Sequence, residues 1–124
     1  MQKTYDLNVL KRTSIITPDQ LREEFPMTPR ATQTVIDGRR EVKAILDGKD
    51  HRLLIITGPC SIISHRQAVK YGALLAGLQD RVKDKIKLVM RVYFEKPRTN
   101  VGFKGLISDP HIDKQTFDID EALR

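Results

Sequence analysis

The sequence predicts an α/β fold, read as the amino-terminal part of a longer α/β enzyme. Three observations carry that expectation. Leu53-Leu54-Ile55-Ile56-Thr57 is a continuous apolar run broken by Gly58-Pro59, the pattern of a strand buried on both faces in a parallel sheet. An amphipathic pattern of about four helical turns follows, and then a second strand-like stretch; strand, crossover helix and strand make a parallel unit. Two strands alone cannot cover two helical layers, and an open pair with both edges exposed is marginal, so further strands are expected from the rest of a longer enzyme.

The elements read as follows along the chain. The first dozen residues are polar and mixed, anchored by Leu7, Val9 and Leu10, and resemble an extended arm. Thr17-Pro18-Asp19-Gln20 is a helix start: Thr17 caps, Pro18 enters the first turn, and Gln20 completes a capping box. Pro26 stops that helix. Thr28-Pro29 repeats the start signal, and Val35, Val42 and Leu46 share a face of a helix running from about Pro29 to Leu46. Asp47-Gly48 ends it, and residues 49–52 form a charged connector to the first strand. The second long helix is expected from about Arg66 to Val82, with Ala68, Tyr71, Leu75, Leu78 and Val82 spaced by threes and fours and Leu74 widening the stripe. The second strand is expected from Lys85 to Glu95. One face carries Ile86, Leu88, Met90, Val92 and Phe94; the other carries Lys87, Val89, Arg91, Tyr93 and Glu95. A loop-like region with Pro97, Gly102, Gly105 and a turn at Asp109-Pro110 follows, and Ile119 to Arg124 reads as the opening turn of another helix.

At 124 residues and 40% hydrophobic content the chain supports one small domain, but a closed α/β barrel usually takes roughly 200 residues or more. The formal net charge is +6. A nucleic-acid partner is not expected, because basic and acidic residues interleave over most of the chain. The exception is 91–104, where Arg91, Lys96, Arg98 and Lys104 face only Glu95 in sequence; that cluster suits a small anionic ligand. A lone cysteine, Cys60, excludes an internal disulfide. With no hydrophobic signal core and no apolar run of spanning length, no membrane partner is expected and the cytoplasm is the expected location.

Two sites stand out. Gly58-Pro59-Cys60-Ser61 follows the first strand, and ligands of α/β folds collect at the carboxyl ends of strands. Cys60 there is either a thiolate metal ligand or nucleophile, or a small buried hydrophobe. Arg91 stands in an apolar strand, where a charge is costly unless paired or facing a ligand. Lys96, Arg98 and Thr99 follow it, and guanidinium forks, an ammonium and a hydroxyl suit phosphate oxygens. The competing reading is a solvated edge strand with an exposed basic loop. Glu95 is a candidate salt-bridge partner for one of these cations. His51, His65 and His111 lack ligand spacing and read as surface or capping residues.

Gly58-Pro59-Cys60-Ser61-Ile62, Met90-Arg91-Val92-Tyr93-Phe94-Glu95-Lys96-Pro97-Arg98-Thr99 and Gly102-Phe103-Lys104-Gly105-Leu106-Ile107-Ser108-Asp109-Pro110 closely resemble the feedback-regulated type of 3-deoxy-D-arabino-heptulosonate 7-phosphate (DAHP) synthase. The resemblance runs over nearly the whole chain and is weakest before Thr17. It implies the amino-terminal part of a (β/α)8 TIM barrel with a helical extension: residues 1–50 as an oligomerisation or regulatory extension, 51–124 as the first barrel strands. It implies condensation of phosphoenolpyruvate with erythrose 4-phosphate and water to give DAHP and phosphate, the first step of the shikimate pathway to aromatic amino acids. It also implies an aromatic amino acid inhibitor and a homo-oligomer for the full-length enzyme. By the same resemblance Cys60 matches a ligand of a divalent metal, Arg91 and Lys96 match phosphoenolpyruvate-binding and catalytic residues, and Arg98 and Thr99 match the erythrose 4-phosphate site. The chain departs from the family's usual sequence at Ile63-Ser64-His65, where His-Asp-Pro is common, and at Asn100 and Phe103. The family's other metal ligands come from later strands, so the isolated chain is expected to be inactive, poorly folded and a poor metal binder. The alternatives are a non-catalytic remnant that associates with an intact synthase, and a basic phosphate- or nucleic-acid-binding module.

Overall fold

Each long helix begins where the sequence supplies a hydroxyl cap. In the computed structural model, which describes residues 4–9, 11–96, 105–108, 110–112 and 118–124, helix α1 spans Pro18–Glu24 and α2 spans Pro29–Leu46. The Thr17 hydroxyl accepts from the Gln20 amide at 3.3 Å while the Gln20 side chain accepts from the Thr17 amide at 3.0 Å, the expected reciprocal box. Thr28 caps α2 by accepting from the Ala31 amide at 3.2 Å. Gly48, at φ 70°, takes the left-handed turn after α2.

Strand β1 (Leu53–Thr57), helix α3 (His65–Val82) and strand β2 (Ile86–Met90) form the expected parallel unit, and α4 (Ile119–Leu123) follows. The strands pair from Leu53 opposite Ile86 to Thr57 opposite Met90. Hydrogen bonds from Leu53 N to Lys85 O at 2.9 Å and from Arg91 N to Thr57 O at 2.7 Å extend the ladder at both ends. Helix α3 starts one residue before the expected Arg66 because Ser64 caps it, accepting from the Gln67 amide at 3.4 Å. Strand β2 is shorter than the expected Lys85–Glu95. Its ladder stops where Gly58 turns β1 away, and past Arg91 the bond from Ile62 N to Tyr93 O at 2.7 Å holds the two segments together. Arg91 therefore lies just past the carboxyl end of the strand, not within it.

Strand alternation then assigns each helix to a face. Tyr71 of α3 bonds the Thr57 hydroxyl at 3.3 Å, and Met90, in register with Thr57, packs on Gly72 of α3. On the opposite face Lys87 reaches Glu41 of α2 at 3.1 Å. Glu41 also binds Arg52 at 2.8 Å, and Arg52 binds Asp50 at 2.6 Å, so a half-buried charge network ties α2 to the start of the sheet. The amino-terminal segment meets α4: Asp120 accepts from the Ile16 amide at 2.8 Å, and Arg124 pairs with Glu24 at 2.9 Å. The core is small. Among the described residues Ile62, 3% exposed, is the buried apolar side chain, whereas Ile56 is 66% and Leu74 67% exposed. A two-stranded sheet leaves such side chains without a covering layer. Among the described residues no helix is long and apolar enough to cross a membrane.

Candidate functional site

The carboxyl ends of β1 and β2 lie side by side, and a missing side chain lets them meet. A Cβ on Gly58 would stand 2.5 Å from the Arg91 carbonyl oxygen and 3.0 Å from the Arg91 Cβ. Gly58, at φ 157°, thus brings the Pro59-Cys60-Ser61 turn against the start of the basic segment. Arg91 falls on the α2 side of the sheet by alternation from Lys87. Its Nη2 donates a long bond, 3.4 Å, to the Cys60 carbonyl oxygen. Its Nε is buried and without a partner.

Two cations converge on one ring. The Arg91 guanidinium lies 4.8 Å and the Lys96 ammonium 4.7 Å from the centre of the Tyr93 ring. The ring quadrupole attracts each cation, and two positive charges gathered near one ring favour an anionic ligand beside them. Glu95, the candidate salt-bridge partner, makes no ion pair with Arg91 or Lys96; Arg98 lies outside the described residues. The partner of Glu95 among the described residues is the Ser108 hydroxyl, which donates to Oε1 at 2.8 Å, while Oε2 is buried without a partner. Gly105 makes this possible: at φ 150° it packs on Phe94 and Glu95 so closely that no Cβ fits, and the 105–108 turn folds back onto the end of β2.

Cys60 is exposed, which removes the buried-hydrophobe reading. Ser61, 8% exposed, has an unpartnered hydroxyl beside it. His111 pairs with Glu121 at 2.8 Å, His65 opens α3, and His51 is exposed, so the histidines take the surface and capping roles expected of them. Among the described residues no group of three His, Cys, Asp or Glu side chains is placed to hold a metal, and one thiol supplies one ligand. These residues alone do not fit a metal centre. Arg98 and Thr99, like Lys104, lie outside the described residues. The structure thus brings together Gly58, Cys60, Arg91 and Lys96. It adds Tyr93, to which the sequence assigned no site role; the odd-numbered face shared by Arg91 and Tyr93 was the available signal.

A parallel strand–helix–strand unit, a helical extension crossing one face, and candidate site residues at the carboxyl strand ends match the amino-terminal portion of a TIM-barrel-like enzyme. Residues 19–123 match the model of the DAHP synthetase I family, and the chain belongs to that family. It is 46% identical over 119 residues to the Phe-sensitive phospho-2-dehydro-3-deoxyheptonate aldolase of Escherichia coli K12, covering 96% of this chain and 34% of that protein. It is 44% identical over 113 residues to the Trp-sensitive protein of the same organism, covering 91% of this chain and 32% of that one. The phospho-2-dehydro-3-deoxyheptonate aldolase structure from Francisella tularensis SCHU S4 superposes with a TM-score of 0.87 at 36% identity, over 94% of this chain and 34% of that chain. The chain spans about a third of the length of the curated relatives it matches.

Proposed function

We propose that this chain contributes the first two strand ends of a DAHP synthase, which condenses phosphoenolpyruvate with erythrose 4-phosphate and water to give DAHP and phosphate. The observation that carries the reading is Arg91: a guanidinium at a strand end whose buried Nε lacks an acceptor, beside a second cation on the same ring. An unsatisfied buried donor costs about 1–3 kcal/mol, more when charged, and a phosphate or carboxylate oxygen satisfies it. In this reading Arg91 and Lys96 hold phosphoenolpyruvate and orient it, and Lys96 offsets the charge that grows as phosphate leaves. Arg98 and Thr99 hold the phosphate of erythrose 4-phosphate. Cys60 gives one ligand to a divalent metal whose remaining ligands come from later strands; that ion would supply Lewis-acid polarisation. Residues 1–50 form the extension that serves oligomerisation or the response to an aromatic amino acid, in a cytoplasmic enzyme.

The test is a hybrid in which this chain replaces the aligned third of the Phe-sensitive E. coli relative. Phosphate release from phosphoenolpyruvate that depends on erythrose 4-phosphate is expected, and Arg91→Ala is expected to lower kcat/KM about 100-fold. A folded hybrid without turnover, or one indifferent to Arg91→Ala, sinks the reading.

A further inference from the structure

Arg91 and Lys96 carry their charges without a carboxylate partner among the described residues. Glu95, the acid between them in sequence, accepts from the Ser108 hydroxyl at 2.8 Å instead. The Arg91 guanidinium has a long hydrogen bond of 3.4 Å to the Cys60 carbonyl oxygen, and its buried Nε has no partner. What both cations do have is the Tyr93 ring, its centre 4.8 Å from the Arg91 guanidinium and 4.7 Å from the Lys96 ammonium. That ring stands on a fixed backbone, because Tyr93 O accepts from the amide of the buried Ile62 at 2.7 Å. Tyr93 is 47% exposed, so its ring is not placed to fill a core.

We infer that Tyr93 is a positioning residue of the anion site: its ring orients the Arg91 guanidinium and the Lys96 ammonium toward one multiply charged anion, and the ring rather than the hydroxyl does so. A carboxylate in its place would also orient the cations, but it would cancel charge and occupy N–H donors. A ring quadrupole attracts a cation without neutralising it and without accepting its in-plane hydrogen bonds, so the pair keeps charge and donors for phosphate or carboxylate oxygens. The spacing suits this role. Arg91 stands two residues before the ring, on the same side of an extended chain, and Lys96 three residues after it, so one ring links the end of β2 to the start of the basic segment. Two long side chains that would otherwise sample many rotamers are ordered before the anion arrives, which removes part of the ordering cost from binding. This role rests on the reading of Arg91 and Lys96 as the groups that hold phosphoenolpyruvate, and it adds the group that orients them.

Two measurements separate the ring from the reading it rests on. In nuclear magnetic resonance of the whole chain, the protons on Arg91 Cδ and Lys96 Cε are expected to lie upfield of their ordinary positions through the Tyr93 ring current. They are expected to stay there in Tyr93→Phe and to return in Tyr93→Leu. Ordinary positions in the wild type overturn the role of the ring, whether or not the site takes phosphoenolpyruvate. In the hybrid with the Phe-sensitive E. coli relative, Tyr93→Leu is expected to raise the KM for phosphoenolpyruvate about tenfold. The KM for erythrose 4-phosphate and kcat are expected to stay within about twofold, because the ring holds the cations equally before and during the reaction. Tyr93→Phe is expected to match the wild type. Pentafluorophenylalanine at position 93 keeps the shape of the ring but reverses its quadrupole, and is expected to behave as Tyr93→Leu does. A wild-type KM with pentafluorophenylalanine, or Tyr93→Phe as impaired as Tyr93→Leu, overturns the role of the ring. Indifference of the same hybrid to Arg91→Ala sinks the reading of the site, and the role of Tyr93 with it.

Discussion

At Gly58 the backbones of the two strand ends approach too closely for a side chain, and the same contact sets the Cys60 turn against Arg91. An alanine there must push back the Arg91 carbonyl or break the bond from Arg91 N to Thr57 O. Gly58→Ala is expected to destabilise the chain by about 1–3 kcal/mol. Gly77 is the contrasting position: it lies in α3 with open space where a Cβ would stand, so Gly77→Ala is expected to stabilise by about 0.4–1 kcal/mol. Thermal unfolding of the two variants side by side checks both signs. The reading of Arg91 and Cys60 was available in the sequence because a charge beside apolar residues, and a Gly-Pro break after an apolar run, are local patterns. The roles of Tyr93 and Ser108 were not, because a ring approached by two cations and a hydroxyl folded back onto Glu95 depend on chain reversals that no local pattern encodes.

Among the elements, α2 is tied to the sheet by charge. Burial acts to raise the Glu41 carboxyl's pKa, but hydrogen bonds from Arg52 and Lys87, together with their charges, outweigh it and hold the carboxyl below its ordinary value of 4.5. The Arg52 side-chain and backbone bonds likewise hold Asp50 below its ordinary 3.8, while Asp50 and Glu41 raise the pKa of Arg52. A carboxylate depressed in the folded state contributes stability that is present above its unfolded pKa and lost as pH falls through the folded one. The link between α2 and the strands is therefore expected to be constant from neutral pH to about pH 5 and to fail progressively below about 4.5. Glu41→Gln is expected to cost about 1–2 kcal/mol at pH 7 and to flatten the acid side of the profile. Unfolding monitored at pH 7, 5, 4 and 3 is the measurement, and an unchanged acid slope in Glu41→Gln would refute the assignment. The helices and β1 were legible because caps and periodicity are local: Thr17, Thr28 and Gly48 mark ends the structure keeps. The end of β2 was not legible, because strand length depends on the partner, and β1 turns away at Gly58 while the alternation in β2 runs on to Glu95. The Glu41–Arg52–Lys87 network was also missed, since its members stand far apart in sequence and meet only once α2 crosses the sheet.

For the molecule as a whole, the balance of surface sets the expectation. Apolar side chains on α2, β1 and α3 remain open to solvent: Leu46 of α2 is 74% exposed, Ile56 of β1 66%, and Leu74 of α3 67%. Fully burying one such side chain contributes about 1.5–3 kcal/mol. A chain that leaves so many uncovered forgoes much of the stabilisation that offsets about 1–2 kcal/mol of backbone entropy per residue. Local order from caps, the β1–β2 ladder and the charge network remains, so the expected state keeps its secondary structure while its packing is loose. Residues 1–124 expressed alone are expected to show helical circular dichroism, a broad shallow thermal transition, strong binding of a hydrophobic dye, and no consumption of phosphoenolpyruvate with erythrose 4-phosphate at any divalent metal concentration. A sharp two-state transition without dye binding would show that the exposed face is covered in solution, and turnover by the chain alone would show that the strand ends of β1 and β2 suffice for chemistry. Either result would overturn this account of the chain as strand ends that need a larger barrel around them.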